Sequence, residues 1–321
     1  MDMEALDTTQ KPRLAIVVPC YNEAEVLRQT AERLLAVLES MRETLSPDSC
    51  ILCVDDGSED ATWDLIIRMH AGDRRILGIS LAANSGHQSA LMAGLKTAMP
   101  LSDFIVTIDA DLQDDETVIA DMVRLAMEGN DIVYGVRSSR ASDTWFKRTT
   151  AQMFYRLMSW LGVKTVYNHA DFRLMSRRAV QALLGYEERN LFLRGIVPLL
   201  GYRSAQAEYA RKKRQAGESK YPFGKMVGFA FDGITSFSMR LVHMVLWMGL
   251  AFLLTALGIA LWVFVCIVQH RVITGWASLM LSVWLCSGCV LIGLGIVGEY
   301  IGKIYMEVKR RPRYNIKDER L

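Results

Sequence analysis

The segment Asp109-Ala110-Asp111-Leu112-Gln113 follows directly on an apolar run, Phe104 to Ile108. Two carboxylates and an amide oxygen at alternate positions, at the open end of a strand, suit one hard divalent cation and leave coordination positions for phosphate oxygens. Asp109, Asp111 and Gln113 are therefore candidate metal ligands, and a cation there offsets charge on a departing diphosphate. A plainer alternative is a polar loop that caps the next helix through Asp114 or Asp115. A second acidic site is Val54-Asp55-Asp56-Gly57-Ser58-Glu59-Asp60. Ser58 or Asp60 can cap a helix starting near Ala61, but capping leaves Asp55 and Asp56 unexplained. A carboxylate at such a turn accepts hydrogen bonds from a base N–H or from ribose hydroxyls.

These motifs need a scaffold that presents them together. Short β-branched runs read as strands at Leu14 to Val18, Ile51 to Val54, Ile76 to Leu81, Phe104 to Ile108 and Asp131 to Tyr134. Between them, apolar residues at three- and four-residue spacing predict helices near 23–42, 61–69, 86–98 and 117–127. Strands alternating with helices predict an α/β fold with a mostly parallel sheet and its sites at the carboxyl ends of the strands. The first strand ends in Pro19-Cys20-Tyr21-Asn22-Glu23 and the third leads into Asn84-Ser85-Gly86-His87-Gln88. Four successive strand ends with polar motifs point to a nucleotide cleft. After Tyr134 the rhythm breaks, and residues 145–161 and 221–239 are amphipathic, suited either to a packed core or to a membrane surface.

Composition sets the class. The 321 residues carry 37 Lys plus Arg against 35 Asp plus Glu, a formal charge of +2, which lacks the basic excess of a nucleic-acid binder. Residues 241–268 and 272–298 contain no Asp, Glu, Lys or Arg. Each exceeds the roughly 20 residues that cross a bilayer as a helix. The first ten residues are acidic and polar, unlike a secretory signal. Basic residues from Arg211 to Arg240 and from Lys303 to Arg313 flank the two stretches, so the positive-inside rule puts both long ends in the cytoplasm and the short turn outside.

Two motifs are set aside. Cys50-x-x-Cys53 and Cys286-x-x-Cys289 mimic halves of a zinc site, but the first lies in a strand that points its residues to opposite faces and the second lies in an expected span. Reduced thiols are expected instead. Gly293-x-Gly295-x-x-Gly298 matches a dinucleotide fingerprint, yet its place inside a span reads as helix packing, as does Gly298-x-x-x-Gly302.

Taken together, VVPCYNEAE at 17–25, VDDGSEDAT at 54–62, NSGHQSALMAGL from Asn84 and DADLQD from Asp109 resemble glycosyltransferase family 2, with its GT-A fold. ADFRLMSRRAV from Ala170, ERNLFLRG from Glu188, AGESKYPFGK from Ala216 and the segment from Ile292 to Tyr314 narrow the resemblance to membrane-anchored polyprenyl-phosphate glycosyltransferases, in particular bactoprenol glucosyltransferases. The resemblance covers residues 13–314. It implies inverting transfer of a sugar from a UDP-sugar to undecaprenyl phosphate with Mg2+ or Mn2+, at the bacterial inner membrane, by a homo-oligomer. It also implies donor binding by Pro19, Tyr21, Glu23, Asp55, Asp56, Asn84, Gln88, Asp109, Ala110 and Asp111, with Asp56 on the uracil. Asp109, Asp111 and Gln113 match the metal and diphosphate site, and Asp171 matches the aspartate assigned as base, so that Asp111 and Asp171 are the expected catalytic pair. The family has Pro after DADLQD, where this chain has Asp115.

A phosphate monoester has a second pKa of about 6, so the acceptor needs no strong base at neutral pH, and Asp171 can instead orient it or pair with Arg173. Arg137, Arg140, Arg148, Arg189, Arg211, Ser219 and Lys220 are expected to hold the acceptor phosphate or diphosphate. The expected layout is a tail at 1–12, a GT-A domain at 13–205, a juxtamembrane region at 206–240, spans at 241–268 and 277–298 joined by a turn at 269–276, and a basic tail at 299–321. Glucose is the expected sugar; N-acetylhexosamine, galactose, mannose or aminoarabinose are alternatives. A processive synthase is disfavoured because no QxxRW motif occurs, and the intact acidic motifs speak against a non-catalytic nucleotide-sugar scaffold or a flippase component.

Overall fold

The computed structural model of the chain describes residues 11–111, 113–137, 169–188, 193–209 and 275–321, with scattered positions between 245 and 269. One compact unit contains the sheet and residues 311–321; the second contains residues 223–310. The sheet unit opens with β1 (Leu14–Cys20), α1 (Leu27–Ser40), β2 (Cys50–Asp55), α2 (Thr62–Gly72), β3 (Ile76–Leu81), α3 (His87–Ala98) and β4 (Phe104–Thr107). It continues through a single 3-10 turn at Glu116–Val118, then α4 (Ile119–Met127), β5 (Ile132–Arg137), β6 (His169–Ser176), α5 (Arg177–Leu184), α6 (Leu193–Leu199) and β7 (Ser204–Tyr209). The chain returns after α7 (Trp276–Val308) as β8 (Ile316–Arg320).

All eight strands form one sheet in the order β7-β5-β6-β4-β1-β2-β3-β8. Strands β1 to β4 are parallel to one another, so the continuous apolar runs of β1 and β2, buried at every position, are the expected consequence of helices on both faces. The five strands and four helices read from periodicity are present, with ends shifted by a few residues. Three strands were not expected. Of these, β6 runs antiparallel between β4 and β5, with Thr107 opposite Arg173. The antiparallel insertion carries Asp171 to the same sheet edge as the loop that follows β4.

The expected basic tail at 299–321 is corrected: its first part continues α7 to Val308, and Ile316–Arg320 pairs antiparallel with β3, Ile79 opposite Glu319. Its five residues are charged or exposed and carry no apolar alternation, so backbone pairing rather than burial holds them. Charged side chains on an outer strand also discourage further pairing.

In the second unit, one helix among the described residues is long and apolar enough to cross a membrane, Leu285–Val308 within α7. The described positions between 245 and 268 are helical, and Trp247, Leu254, Leu261, Trp262, Val265 and Val268 among them are exposed. The expected first span, 241–268, otherwise lies outside the described residues, as do the amphipathic stretches at 145–161 and 221–239. A Cβ added at Gly293 would sit 3.0 Å from the Val245 side chain, the close approach expected of helix packing, whereas Gly295, Gly298 and Gly302 have open space beside them. Cys20, Cys50, Cys53, Cys286 and Cys289 are free. A hydrogen bond between Cys20 and Cys53, with burial, pushes the Cys20 thiol up, and burial likewise raises Cys50 to about 11; both stay protonated thiols.

Candidate active site

The loops after β1, β2 and β3 are tied to one another before any ligand is considered. Asn22, which adopts a positive φ of 54°, donates its backbone N–H to Ser58 Oγ at 2.9 Å and accepts at Oδ1 from the Glu59 N–H at 2.9 Å. The Glu23 N–H donates to Thr62 Oγ1 at 3.0 Å and the Ala24 N–H to Asp60 Oδ2 at 3.3 Å. Gly57 has φ of 67°, and a Cβ there would lie 2.7 Å from the Ala83 and Asn84 backbone, so this turn requires glycine for both conformation and room.

The two neighbouring acids of this loop do different work. Asp55 is buried, accepting from Ser80 Oγ at 2.8 Å and from the Ser58 N–H at 3.1 Å, and so shapes the turn. Asp56 accepts from the backbone N–H groups of Ser85 at 2.7 Å and Gly86 at 3.0 Å, and so fixes the loop after β3. Burial raises its pKa, and these two hydrogen bonds oppose the rise. Of the other expected donor residues, Tyr21 is exposed, Glu23 lies beside Thr62, Asn84 accepts from the Gly86 N–H at 3.2 Å, and Pro19 is buried within β1 opposite Val54. Gln88 is turned toward α6, where its Oε1 accepts from the Leu193 N–H at 3.0 Å.

The loop after β4 is oriented from below. Thr30 Oγ1, buried on α1, donates to the Ala110 carbonyl at 2.8 Å, and Ala110 itself packs into the core. Its flanking residues, Asp109 and Asp111, keep access to solvent. The Gln113 N–H donates to Asp111 Oδ1 at 3.2 Å, and Gln113 is buried. Asp114 accepts from Tyr209 Oη at 2.5 Å, whereas Asp115 receives the Thr117 N–H and hydroxyl at 3.2 and 2.8 Å. The residue that departs from the family pattern therefore acts as the cap of the next turn.

Asp171 completes the site. Thr107 Oγ1 donates to its carbonyl, which anchors β6 at this point. Its carboxylate takes Arg173 Nη2 at 2.5 Å on one oxygen and Arg194 Nη2 at 3.0 Å on the other. His87 Nε2 stands 3.7 Å from Asp171 Oδ2 and 3.7 Å from Asp109 Oδ1, so a single imidazole faces both acids. Burial would raise the Asp171 pKa, but Arg194, Arg173 and His87 outweigh it and hold the carboxyl well below the usual range. Asp109 shows the reverse. Its side chain keeps 39% of its exposure, yet the protein packed around it and the nearby Asp171, Asp114 and Asp111 raise its pKa to about 6 against the opposing effect of His87.

Carboxylate oxygens such as those of Asp109 and Asp111 are hard donors suited to Mg2+ or Mn2+. The described residues contain no group of three His, Cys, Asp or Glu side chains already arranged to hold a metal, so the remaining donors must come from Gln113, water or ligand oxygens. His87 and Arg194 were not assigned roles from sequence; His87 lay in a motif already singled out after the third strand, and Arg194 within ERNLFLRG. Of the expected phosphate-binding residues, Arg137 ends β5, while Arg140, Arg148, Arg189, Arg211, Ser219 and Lys220 lie outside the described residues.

Comparison with known proteins places this geometry in context. Residues 15–184 match the model of glycosyl transferase family 2. The chain is 51% identical over 310 residues to the uncharacterized glycosyltransferase YkoT of Bacillus subtilis (strain 168), covering 95% of this chain and 91% of that protein. It is 36% identical over 310 residues to the bactoprenol glucosyl transferase of Shigella phage SfV, covering 96% of this chain and 99% of that protein. Among solved structures, mannosyl-3-phosphoglycerate synthase from Rubrobacter xylanophilus is 17% identical with a TM-score of 0.47, over 69% of this chain and 71% of that one.

Proposed function

Because the chain belongs to glycosyl transferase family 2, we propose that it moves a sugar, glucose in the first instance, from a UDP-sugar to undecaprenyl phosphate. The observation that carries this assignment is the meeting of Asp109 and Asp171 on either side of His87, at the carboxyl end of β4 and the amino end of the antiparallel β6. The donor diphosphate belongs on the Asp109 and Asp111 side, and the acceptor on the side of Asp171. The names of relatives that cover nearly the whole chain, bactoprenol glucosyl transferases at about 36% identity, support both glucose and a polyprenyl phosphate acceptor.

In this assignment Asp56 and the loop it fixes receive the uridine, with Tyr21 available as a flat surface for the base. Mg2+ or Mn2+ held by Asp109 and Asp111 would offset the charge of the departing UDP. The acceptor phosphate oxygen attacks the anomeric carbon from the face opposite UDP, which inverts that centre. With its carboxyl held well below the usual range, Asp171 is a weak base, and its work is to keep Arg194 and Arg173 in place. Proton removal is unnecessary because the acceptor is already largely dianionic above a pH of about 6. Anchorage through α7 and the helix preceding it, as a two-helix hairpin in the bacterial inner membrane, would hold enzyme and lipid at one surface and raise their encounter rate.

The deciding experiment incubates membranes containing the protein with radiolabelled UDP-glucose, UDP-galactose or UDP-N-acetylglucosamine, and with undecaprenyl phosphate, with and without EDTA. Label should pass from UDP-glucose to the lipid and stop with EDTA. Absence of transfer from every donor would overturn the assignment.

A further inference from the structure

Among the buried residues of α1, Leu27, Ala31, Leu34, Val37 and Leu38 are apolar and Thr30 is not. Threonine and valine are alike in branching and in helix propensity, so the helix itself does not select the hydroxyl. A buried hydroxyl must be satisfied, and this one has two acceptors within reach: the Val26 carbonyl at 3.1 Å, one turn back, and the Ala110 carbonyl at 2.8 Å, 80 positions away. The local acceptor alone would satisfy it. What the hydroxyl adds is a hold on the loop after β4.

That loop lies beyond the reach of the sheet. The Ile108 N–H donates to the Val17 carbonyl at 3.1 Å, and past this point the backbone leaves β4. The Ala110 carbonyl belongs to the peptide plane that leads into Asp111, so fixing its oxygen fixes the direction in which Asp111 departs. One turn further along α1, Arg33 Nε meets the buried Glu116 at 3.1 Å, at the far end of the same loop. Helix α1 therefore holds the segment from Ala110 to Glu116 at both ends. The helix itself starts from the loop after β1, where the Val26 and Leu27 N–H groups donate to the Glu23 carbonyl at 3.1 and 3.0 Å. It is a splint between the part of the cleft assigned to uridine and the part assigned to the diphosphate.

We infer that Thr30 is a positioning residue for the diphosphate end of the donor site, acting through the Ala110 carbonyl to set Asp109 and Asp111 in the cleft. The inference deepens the transfer reaction proposed above and rests on it for the role of those two acids. Their carboxylates are hard donors that fit Mg2+ or Mn2+. Acids already aimed lose less freedom when they take up a cation or meet a nucleotide diphosphate, so the hold from below improves binding without touching the ligand.

The test compares wild type with Thr30→Val, which keeps the shape and removes the donor, and Thr30→Ser, which keeps the donor. Thr30→Val should raise the Kd for Mn2+, read by electron paramagnetic resonance on the protein alone, and the KM for the UDP-sugar by about tenfold each, the scale of a lost outer contact at a metal site. Amide exchange at Asp111 and Gln113 should quicken in the absence of any ligand. The KM for undecaprenyl phosphate should stay within about twofold, and Thr30→Ser should recover most of each loss. Thermal denaturation reports that the variants are folded. A folded Thr30→Val variant with unchanged Mn2+ affinity and UDP-sugar KM would overturn the inference, whatever its melting temperature, and leave the transfer reaction standing if wild type transfers sugar. If Thr30→Val weakens Mn2+ binding and quickens exchange while wild type transfers no sugar, the positioning role stands and the transfer reaction is what fails. If wild type takes up no Mn2+, the inference falls together with the metal assignment.

Discussion

Arg194 grips Asp171 at two points, Nη2 at 3.0 Å from Oδ2 and Nε at 3.4 Å from Oδ1, although the two residues lie on different elements and 23 positions apart. The pair links β6 to α6, the second helix after it. Removing either partner therefore has structural and kinetic consequences that can be separated.

Asp171→Asn should slow transfer on the order of 100-fold, the scale of a misplaced reacting group, with UDP-sugar affinity largely kept. It should also cost about 3–5 kcal/mol of stability, since Arg173 is left buried without its counter-charge. The sign of the pH dependence follows from the depressed folded pKa of Asp171: the wild-type advantage is fully present above the ordinary Asp value near about 4 and fades as pH falls below it. Denaturation of both proteins as a function of pH checks this; an advantage that grows on acidification would contradict it.

Asp111→Ala should abolish transfer by weakening the cation site. Titration of Mn2+ by electron paramagnetic resonance gives the direct measurement, with a loss of binding of at least about tenfold expected. Full activity in this variant would rule out the metal assignment.

Asp55 and Asp56 should separate cleanly. Asp56→Ala releases the Ser85 and Gly86 N–H groups and should raise the KM for the UDP-sugar about tenfold or more. Asp55→Ala orphans the Ser58 N–H and Ser80 hydroxyl instead, and should lower stability by about 1–3 kcal/mol. Thermal denaturation alongside donor kinetics distinguishes them; equal donor KM increases at unchanged stability would contradict this division.

The outer strand should matter to the donor. The Ala82 N–H donates to the Asn315 carbonyl at 2.8 Å, just ahead of the loop that Asp56 fixes, and Arg313 donates to the Tyr186 carbonyl at 2.7 Å. Deleting residues 313–321 should loosen residues 82–86, seen as faster amide exchange there, and raise the UDP-sugar KM several-fold. Exchange unchanged in that loop would show that β8 is only an ornament of the sheet edge.

Much of this site was legible in the chain because the signals were local. Each acidic motif follows an apolar run, and parallel strands place all such motifs at one edge, so Asp56, Asp109 and Asp111 could be grouped without coordinates. What was not legible depended on long-range pairing. No periodicity announces that β6 inserts antiparallel between β4 and β5, or that Leu193 lies against Gln88, 105 residues earlier. Asp55 and Asp56 look equivalent in sequence, and only the pairing of β2 with β3, which sets Ser80 opposite Asp55, gives them different partners. The charged segment Ile316–Arg320 resembled a tail because its partner is backbone, which leaves no trace in side-chain pattern.

The position of β8 in chain order has a consequence for biosynthesis. While the ribosome is still translating the long apolar helix, β3 has an open edge, and the nascent sheet carries bare amides beside an apolar interior. Completion of the sheet must therefore wait until the apolar helix has been made, and stalled chains ending before residue 316 should recruit chaperones more strongly than chains released after it.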